Sequence, residues 1–117
     1  MSIWDDLNHF TPEEFDYPDD MDETFLRALD LIRSRAGVPM VITSDYRPGD
    51  LKAHGRGLAV DATDDSDSDG VTSQWRYKIL KAAIETGILR IGIYDKHIHL
   101  DIWQNAPQEV IWYGSST

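Results

Sequence analysis

Three of the four histidines in this 117-residue chain lie in two short segments that also carry carboxylates. The first segment, HGRGLAVD, runs from His54 to Asp61, and the second, HIHLD, runs from His97 to Asp101. Residues two apart in a β-strand face the same side, so we expect His97, His99 and Asp101 to project together. Two imidazoles and one carboxylate are an accepted ligand set for catalytic zinc, with a fourth position left for water. His54, Asp61 and His99 would supply that set.

The chain contains no cysteine, so a transition-metal site must be built from histidines and carboxylates. Gly55 and Gly57 beside His54 allow a tight backbone turn. The loop histidine and the following strand aspartate could therefore converge on one ion.

Two ordered motifs resemble those of a known group of zinc peptidases. His54, Gly57, Ala59 and Asp61 match the H-x-x-G-x-A-x-D signature of D-alanyl-D-alanine carboxypeptidases and related L-alanyl-D-glutamate endopeptidases. The later H-x-H pair resembles the second signature of the group that includes lysostaphin and the hedgehog signalling domain. The upstream segment SDYRP, which begins at Ser44, is similar to the family's Ser-x-x-Arg segment. Two motifs in the right order are far more specific than either alone.

The resemblance covers roughly residues 40 to 103 and implies a role for each matching residue. In that family the first histidine, the aspartate and the last histidine bind zinc, which implies His54, Asp61 and His99 as ligands. The family's arginine contacts substrate, so the resemblance implies that Arg47 holds a substrate carboxylate or oxyanion; guanidinium pairs with carboxylates in a bidentate manner. The implied reaction is zinc-dependent hydrolysis in bacterial peptidoglycan stem peptides, at L-Ala-D-Glu or a bond involving D-Ala.

Two positions depart from the family pattern. Lys52 stands two residues before the first ligand, where the family usually has Ser, and Lys96 stands where many members have an acidic general base. Asp95 and His97 are the alternative proton acceptors, and we favour Asp95, with His97 stabilising developing charge. We expect Asp101 to accept a hydrogen bond from a metal-bound histidine. A zinc-bearing binding or virion structural module without turnover is the alternative function.

The acidic run DDSDSDG, from Asp64 to Gly70, has Asp at alternate positions, as at the start of a calcium-binding loop. Counting from Asp65, the twelfth position is Arg76 instead of the bidentate Glu of an EF-hand. We therefore interpret the run as a solvated loop whose acids favour the N-terminus of the next helix, with Ca²⁺ binding as the less favoured alternative.

Composition excludes several classes of partner. Eleven Lys and Arg against 21 Asp and Glu give a net charge of −10, which opposes binding to nucleic acid or anionic membranes and favours a peptide-like partner. No segment approaches the ~20 apolar residues of a membrane span, and we expect no secretory signal peptide. With the resemblance, these features favour a monomeric phage lytic enzyme, made in the host cytoplasm and acting on the cell wall after release.

The elements that must position these residues are two amphipathic helices and several short strands. Apolar residues at helical spacing predict a helix from about Asp22 to Ala36 and another from about Trp75, closed by Gly87. β-favouring runs predict strands at 40–43, 58–63, 91–94, 97–103 and 109–113. We expect one domain over residues 1–117 of the α+β class, with a mostly antiparallel sheet and helices packed on it, as in the hedgehog and D-Ala-D-Ala-peptidase fold.

Overall fold

The computed structural model describes residues 2–64 and 71–114. The described residues form α1 (Glu23–Ala36), α2 (Ser73–Thr86) and five strands: β1 (Val41–Ser44), β2 (Ala59–Thr63), β3 (Arg90–Ile93), β4 (Ile98–Asp101) and β5 (Val110–Tyr113). Short 3₁₀ segments lie at Ile3–Asp6, Pro12–Glu14, Pro18–Asp20 and Ala53–Arg56. Residues Asp65 to Gly70, which make up most of the acidic run that resembles a calcium-binding loop, lie outside the described residues.

Both helices predicted from apolar spacing are confirmed, and both have capped ends. The Asp22 carboxylate accepts a hydrogen bond from a backbone N–H in the first turn of α1, and the Thr72 hydroxyl does the same for α2. Gly37 and Gly87 end the helices with φ of 64° and 96°, a left-handed conformation that favours glycine. Neither helix is long and apolar enough to cross a lipid bilayer.

The five strands form one mixed sheet in the order β1-β2-β4-β3-β5. The β1-β2, β2-β4 and β4-β3 pairs are antiparallel, whereas β5 runs parallel to β3 at the sheet edge. The α+β class is therefore confirmed, and the sheet is antiparallel in three of its four pairings. The parallel pair arises because the chain leaves β4 and passes to the far side of β3 before β5 begins.

The sheet has one apolar face and one polar face. Val60 and Ala62 of β2 and Ile98 and Leu100 of β4 are fully buried in a core shared with both helices. The residues between them in sequence project to the other face, because successive strand residues alternate. That alternation places the polar residues of both predicted motifs together, away from the helices.

Candidate metal centre

A row of directly paired residues crosses the polar face of the sheet. Asp61 of β2 lies opposite His99 of β4, His99 lies opposite Gly92 of β3, and Gly92 lies opposite Trp112 of β5. These strands border a pocket of about 710 Å³ whose walls include Asp61, His99 and Trp112. The two sequence motifs therefore meet in one pocket, although 38 residues separate Asp61 from His99.

His54 comes to this pocket from the 3₁₀ segment before β2 and is buried. Its Nδ1 atom lies 2.7 Å from the backbone carbonyl oxygen of Asp45. Because a carbonyl oxygen only accepts, Nδ1 must carry the proton, and Nε2 keeps a free lone pair. Nε2 is buried, has no hydrogen-bond partner within the described part of the chain, and lies 3.5 Å from Asp61 Oδ1.

The two glycines beside His54 permit close backbone contacts, as the sequence predicted. A Cβ atom at Gly55 would lie 1.7 Å from the carbonyl oxygen of Asp50, and one at Gly57 would lie 2.1 Å from that of Asp20. Gly57 also has φ of 69°, and its carbonyl accepts a hydrogen bond from Asp22 N at 3.0 Å. Larger residues would displace the loop that carries the metal-ligand candidate.

His99 connects two carboxylates. Its Nδ1 atom lies 3.1 Å from Asp61 Oδ1, and its Nε2 atom lies 2.5 Å from Asp101 Oδ2. Asp101 is buried and also accepts hydrogen bonds from Arg90 Nε at 2.8 Å and Trp103 N at 3.0 Å. Asp101 therefore contacts His99 Nε2, as the sequence predicted. This contact orients the ring so that Nδ1 faces Asp61.

His54, Asp61 and His99 form a group that could hold a metal ion. One ligand atom from each lies within 4.8 Å of the other two, and the histidine atoms that face Asp61 Oδ1 are His54 Nε2 and His99 Nδ1. Zinc bonds of ~2.0–2.2 Å place tetrahedral ligand atoms roughly 3.3–3.6 Å apart. The distance from Asp61 Oδ1 to His54 Nε2, 3.5 Å, lies within that range, and the distance to His99 Nδ1, 3.1 Å, is slightly shorter. The free lone pair of His54 also fits a metal ligand.

The protonation of the group follows from burial and hydrogen bonding. Burial acts to raise the pKa of Asp61, but the neighbouring imidazoles of His54 and His99 together outweigh it and hold that pKa well below its usual value. Burial acts to lower the pKa of His99, but hydrogen bonds to Asp101 and Asp61 outweigh it and raise that pKa. The carboxylate ligand is thus already ionised, whereas His99 must release a proton before Nδ1 can bind a cation.

The structure places the two candidate proton acceptors differently. His97 lines the pocket, its Nε2 atom is 3.8 Å from Asp61 Oδ1, and its ring stacks on Tyr94 at 4.5 Å. Burial lowers the pKa of His97 more than the charge of Asp61 raises it. Asp95 is exposed on the β3-β4 turn and is not among the pocket-lining residues. Its backbone carbonyl accepts a hydrogen bond from Arg76, which anchors the turn to α2.

Arg47, which the motif resemblance implies as a substrate contact, lies beside the ligand group. Its Nη2 atom donates to Asp61 Oδ2 at 2.8 Å, and its Nε atom donates to Ser44 Oγ at 2.9 Å. The guanidinium is about half exposed, with 47% of the side chain accessible. Lys52, the departure from the family pattern, is exposed and lines the same pocket. A bound anion could therefore contact both cations.

Aromatic residues form one wall of the pocket, and sequence reasoning missed the place of Tyr94 in it. The Trp112 ring centroid lies 5.3 Å from that of His99, and the guanidinium carbon of Arg90 lies 5.0 Å from the Trp112 centroid. Tyr94 lines the pocket and accepts a hydrogen bond from Trp112 Nε1 at 3.0 Å. The two-residue spacing of Arg90, Gly92 and Tyr94 was the available signal, because it places all three on one side of β3 and its extension.

Comparison with known proteins identifies no relative of this chain. No family model, no curated protein and no solved structure matches the chain. The motif resemblance therefore stays an interpretation of the residues themselves.

Proposed function

We propose that this protein is a zinc-dependent peptidase that hydrolyses peptide bonds in bacterial peptidoglycan stem peptides. The observation that carries the proposal is the buried group of His54, Asp61 and His99, whose ligand atoms surround one point in a pocket. Two imidazoles and one carboxylate leave a coordination position for water, as catalytic zinc sites require. The motif order supports the same class of enzyme.

When bound, zinc supplies Lewis-acid chemistry: it polarises a carbonyl and lowers the pKa of water from ~15.7 towards ~7. The chain's own residues prepare the ligand atoms for this ion. The Asp45 carbonyl holds the His54 proton on Nδ1, and the Asp101 carboxylate accepts from His99 Nε2. Each contact leaves the other ring nitrogen on the side of Asp61, where the two nitrogens and the carboxylate would hold the ion.

His97 is the proton acceptor that this geometry favours. Its lowered pKa keeps the ring neutral near pH 7, so a ring nitrogen can accept a proton from the attacking water. As the water oxygen bonds to the carbonyl carbon and the C–N bond breaks, the same proton passes to the leaving amine. We favour His97 over Asp95 as the proton acceptor because Asp95 is exposed on the turn, outside the pocket wall.

Two accessible cations in the pocket wall support a substrate with carboxylates. The pocket of this chain, whose net charge is −10, is lined by three cations and three carboxylates: Arg47, Lys52, Arg90, Asp50, Asp61 and Asp101. Arg47 pairs with Asp61 and Arg90 pairs with Asp101, but the Arg47 side chain is about half exposed whereas that of Arg90 is largely buried. Arg47 and the exposed Lys52 are therefore the cations that a ligand can reach. Stem peptides carry D-Glu, terminal D-Ala and often diaminopimelate, whose carboxylates suit these cations. The proposed setting is a phage lytic enzyme that reaches the wall after release from the cytoplasm.

A zinc-bearing binding or virion module is the second candidate function. It is favoured by one observation: Lys96 occupies the position of an acidic base, and Asp95 lies outside the pocket wall. Such a module would keep zinc and bind wall peptides without cleaving them. The two functions differ in whether new peptide fragments form.

The test is incubation of purified cell walls with the protein and zinc, followed by mass spectrometry of the released material. We expect new stem-peptide fragments, and none from His54→Gln or His99→Gln. His9→Gln is the matched control, because His9 is exposed and lies outside the pocket. Walls that release no fragment with the zinc-loaded natural chain would contradict the peptidase, and tight binding without cleavage would support the module.

A further inference from the structure

The hydroxyl group of Tyr94 has a proton that no described residue accepts. Trp112 Nε1 lies 3.0 Å from the Tyr94 oxygen, and an indole N–H can only donate. The Tyr94 oxygen is therefore the acceptor in this pair, and its own O–H remains available to donate. Across residues 2–64 and 71–114, no side chain or carbonyl takes that proton, and Tyr94 lines the pocket.

The ring that carries this hydroxyl is held from several sides. It stacks on His97 with centroids 4.5 Å apart and planes 11° from parallel. A Cβ atom at Gly114 would lie 2.6 Å from the Tyr94 ring, and one at Gly92 would lie 2.7 Å from the Trp112 ring. Glycine at both positions lets the two rings lie against the strands. The Tyr94 oxygen is therefore held in position before any ligand arrives.

Both neighbours of Tyr94 border the metal-ligand group. His97 Nε2 lies 3.8 Å from Asp61 Oδ1, and the Trp112 ring centroid lies 5.3 Å from that of His99. Tyr94 is fixed between these two contacts. Tyr94 therefore lines the same pocket as the metal-ligand group, and its hydroxyl is held at the Trp112 side of that pocket.

We propose that Tyr94 is a catalytic residue whose hydroxyl donates a hydrogen bond to the substrate carbonyl oxygen as negative charge develops there. The inference rests on the proposed peptidase function. The Tyr94 O–H bond does not break in this step. The substrate carbonyl oxygen gains negative charge when water adds to the carbonyl carbon, and it loses that charge when the C–N bond breaks. Donors held in place for a developing oxyanion are worth roughly 10²–10³-fold in kcat.

The test is Tyr94→Phe, which removes the hydroxyl and keeps the ring that stacks on His97. We expect kcat on a stem peptide to fall roughly 10²–10³-fold while KM changes little, because the hydrogen bond strengthens only in the transition state. Tyr77→Phe is the matched control, because Tyr77 is an exposed tyrosine of α2 outside the pocket. It should keep the activity of the natural chain.

A binding measurement separates this role from a structural one. A phosphinate peptide, which resembles the tetrahedral transition state, should bind Tyr94→Phe more weakly by a similar factor, whereas the product peptide should bind equally well. Equal losses for both ligands, or an unchanged kcat in an active enzyme, would overturn the inference and leave the peptidase intact. A natural chain that cleaves no peptide would instead remove the peptidase, and the role of Tyr94 with it.

Discussion

The Nδ1 atom of His54 lies 2.7 Å from the carbonyl oxygen of Asp45, and this contact leaves Nε2 as the only ring nitrogen that can bind a metal. The Asp45 carboxylate is itself buried and accepts hydrogen bonds from the backbone N–H groups of Asp16 and Tyr17, at 2.7 and 3.2 Å. One residue thus connects the N-terminal segment to a candidate metal ligand.

Replacing Asp45 with alanine should weaken both folding and metal binding. Two part-buried N–H groups would lose their acceptor, at about 1–3 kcal/mol each when such a group stays unsatisfied. The carbonyl that orients His54 would then be less well held. Urea unfolding should show the loss of stability, and zinc titration should show a higher Kd. Asp19→Ala, at an exposed position, is the control; equal behaviour of the two variants would refute the connection.

Zinc should stabilise the natural chain and should require all three ligands. An ion that binds only the folded state adds about 2.7 kcal/mol when its concentration is 100 times Kd. We expect a higher thermal midpoint with zinc and its return to the metal-free value with a chelator. Asp61→Asn and His99→Gln should lose this response, whereas His9→Gln should keep it. Elemental analysis gives the stoichiometry, and a natural chain that takes up no metal would remove the site.

The individual members of the ligand group could be predicted from the sequence because the evidence for each of them is local. The alternation around His99, the strand after His54 and the glycines between His54 and Asp61 each depend on neighbours a few residues away. The long-range pairing of Asp61 with His99 was inferred only through the motif resemblance, because register depends on the buried faces of both strands. The fold class followed from the same patterns.

The aromatic wall could not be predicted in the same way. Trp112 faces His99 only because β5 pairs with β3 in parallel and in a particular register, and the strand pattern of 109–113 indicates neither direction nor partner. The contact between Trp112 and Tyr94 joins residues 18 apart through that pairing. The exposed position of Asp95 likewise depends on how the β3-β4 turn lies on α2, through Arg76.

Zinc affinity should fall with decreasing pH, beginning above the ordinary pKa of histidine. Burial lowers the pKa of His99, but the hydrogen bonds to Asp101 and Asp61 outweigh it, so the net shift is upward. Protons therefore compete for Nδ1 at a higher pH than at a histidine of ordinary pKa. Asp101→Asn should lower the pKa of His99 and move the onset of competition to lower pH, with Asp19→Asn as the control. Calorimetry over a pH series measures this; an affinity independent of pH between 6 and 8 (about the range in which imidazoles titrate) would contradict it.

His97→Ala and Asp95→Ala should separate the two candidate proton acceptors. His97 lines the pocket 3.8 Å from a ligand oxygen, so its removal should lower kcat by roughly 10²–10⁴-fold, the usual worth of a general base, while zinc still binds. Asp95 is exposed on the turn, so Asp95→Ala should change kcat by less than about threefold, since surface changes rarely disturb a site. Steady-state kinetics on a stem peptide, with zinc content measured in parallel, decides between them. The reverse pattern, a large loss for Asp95→Ala and a small one for His97→Ala, would mean that the turn rearranges to bring the carboxylate into the pocket when substrate binds.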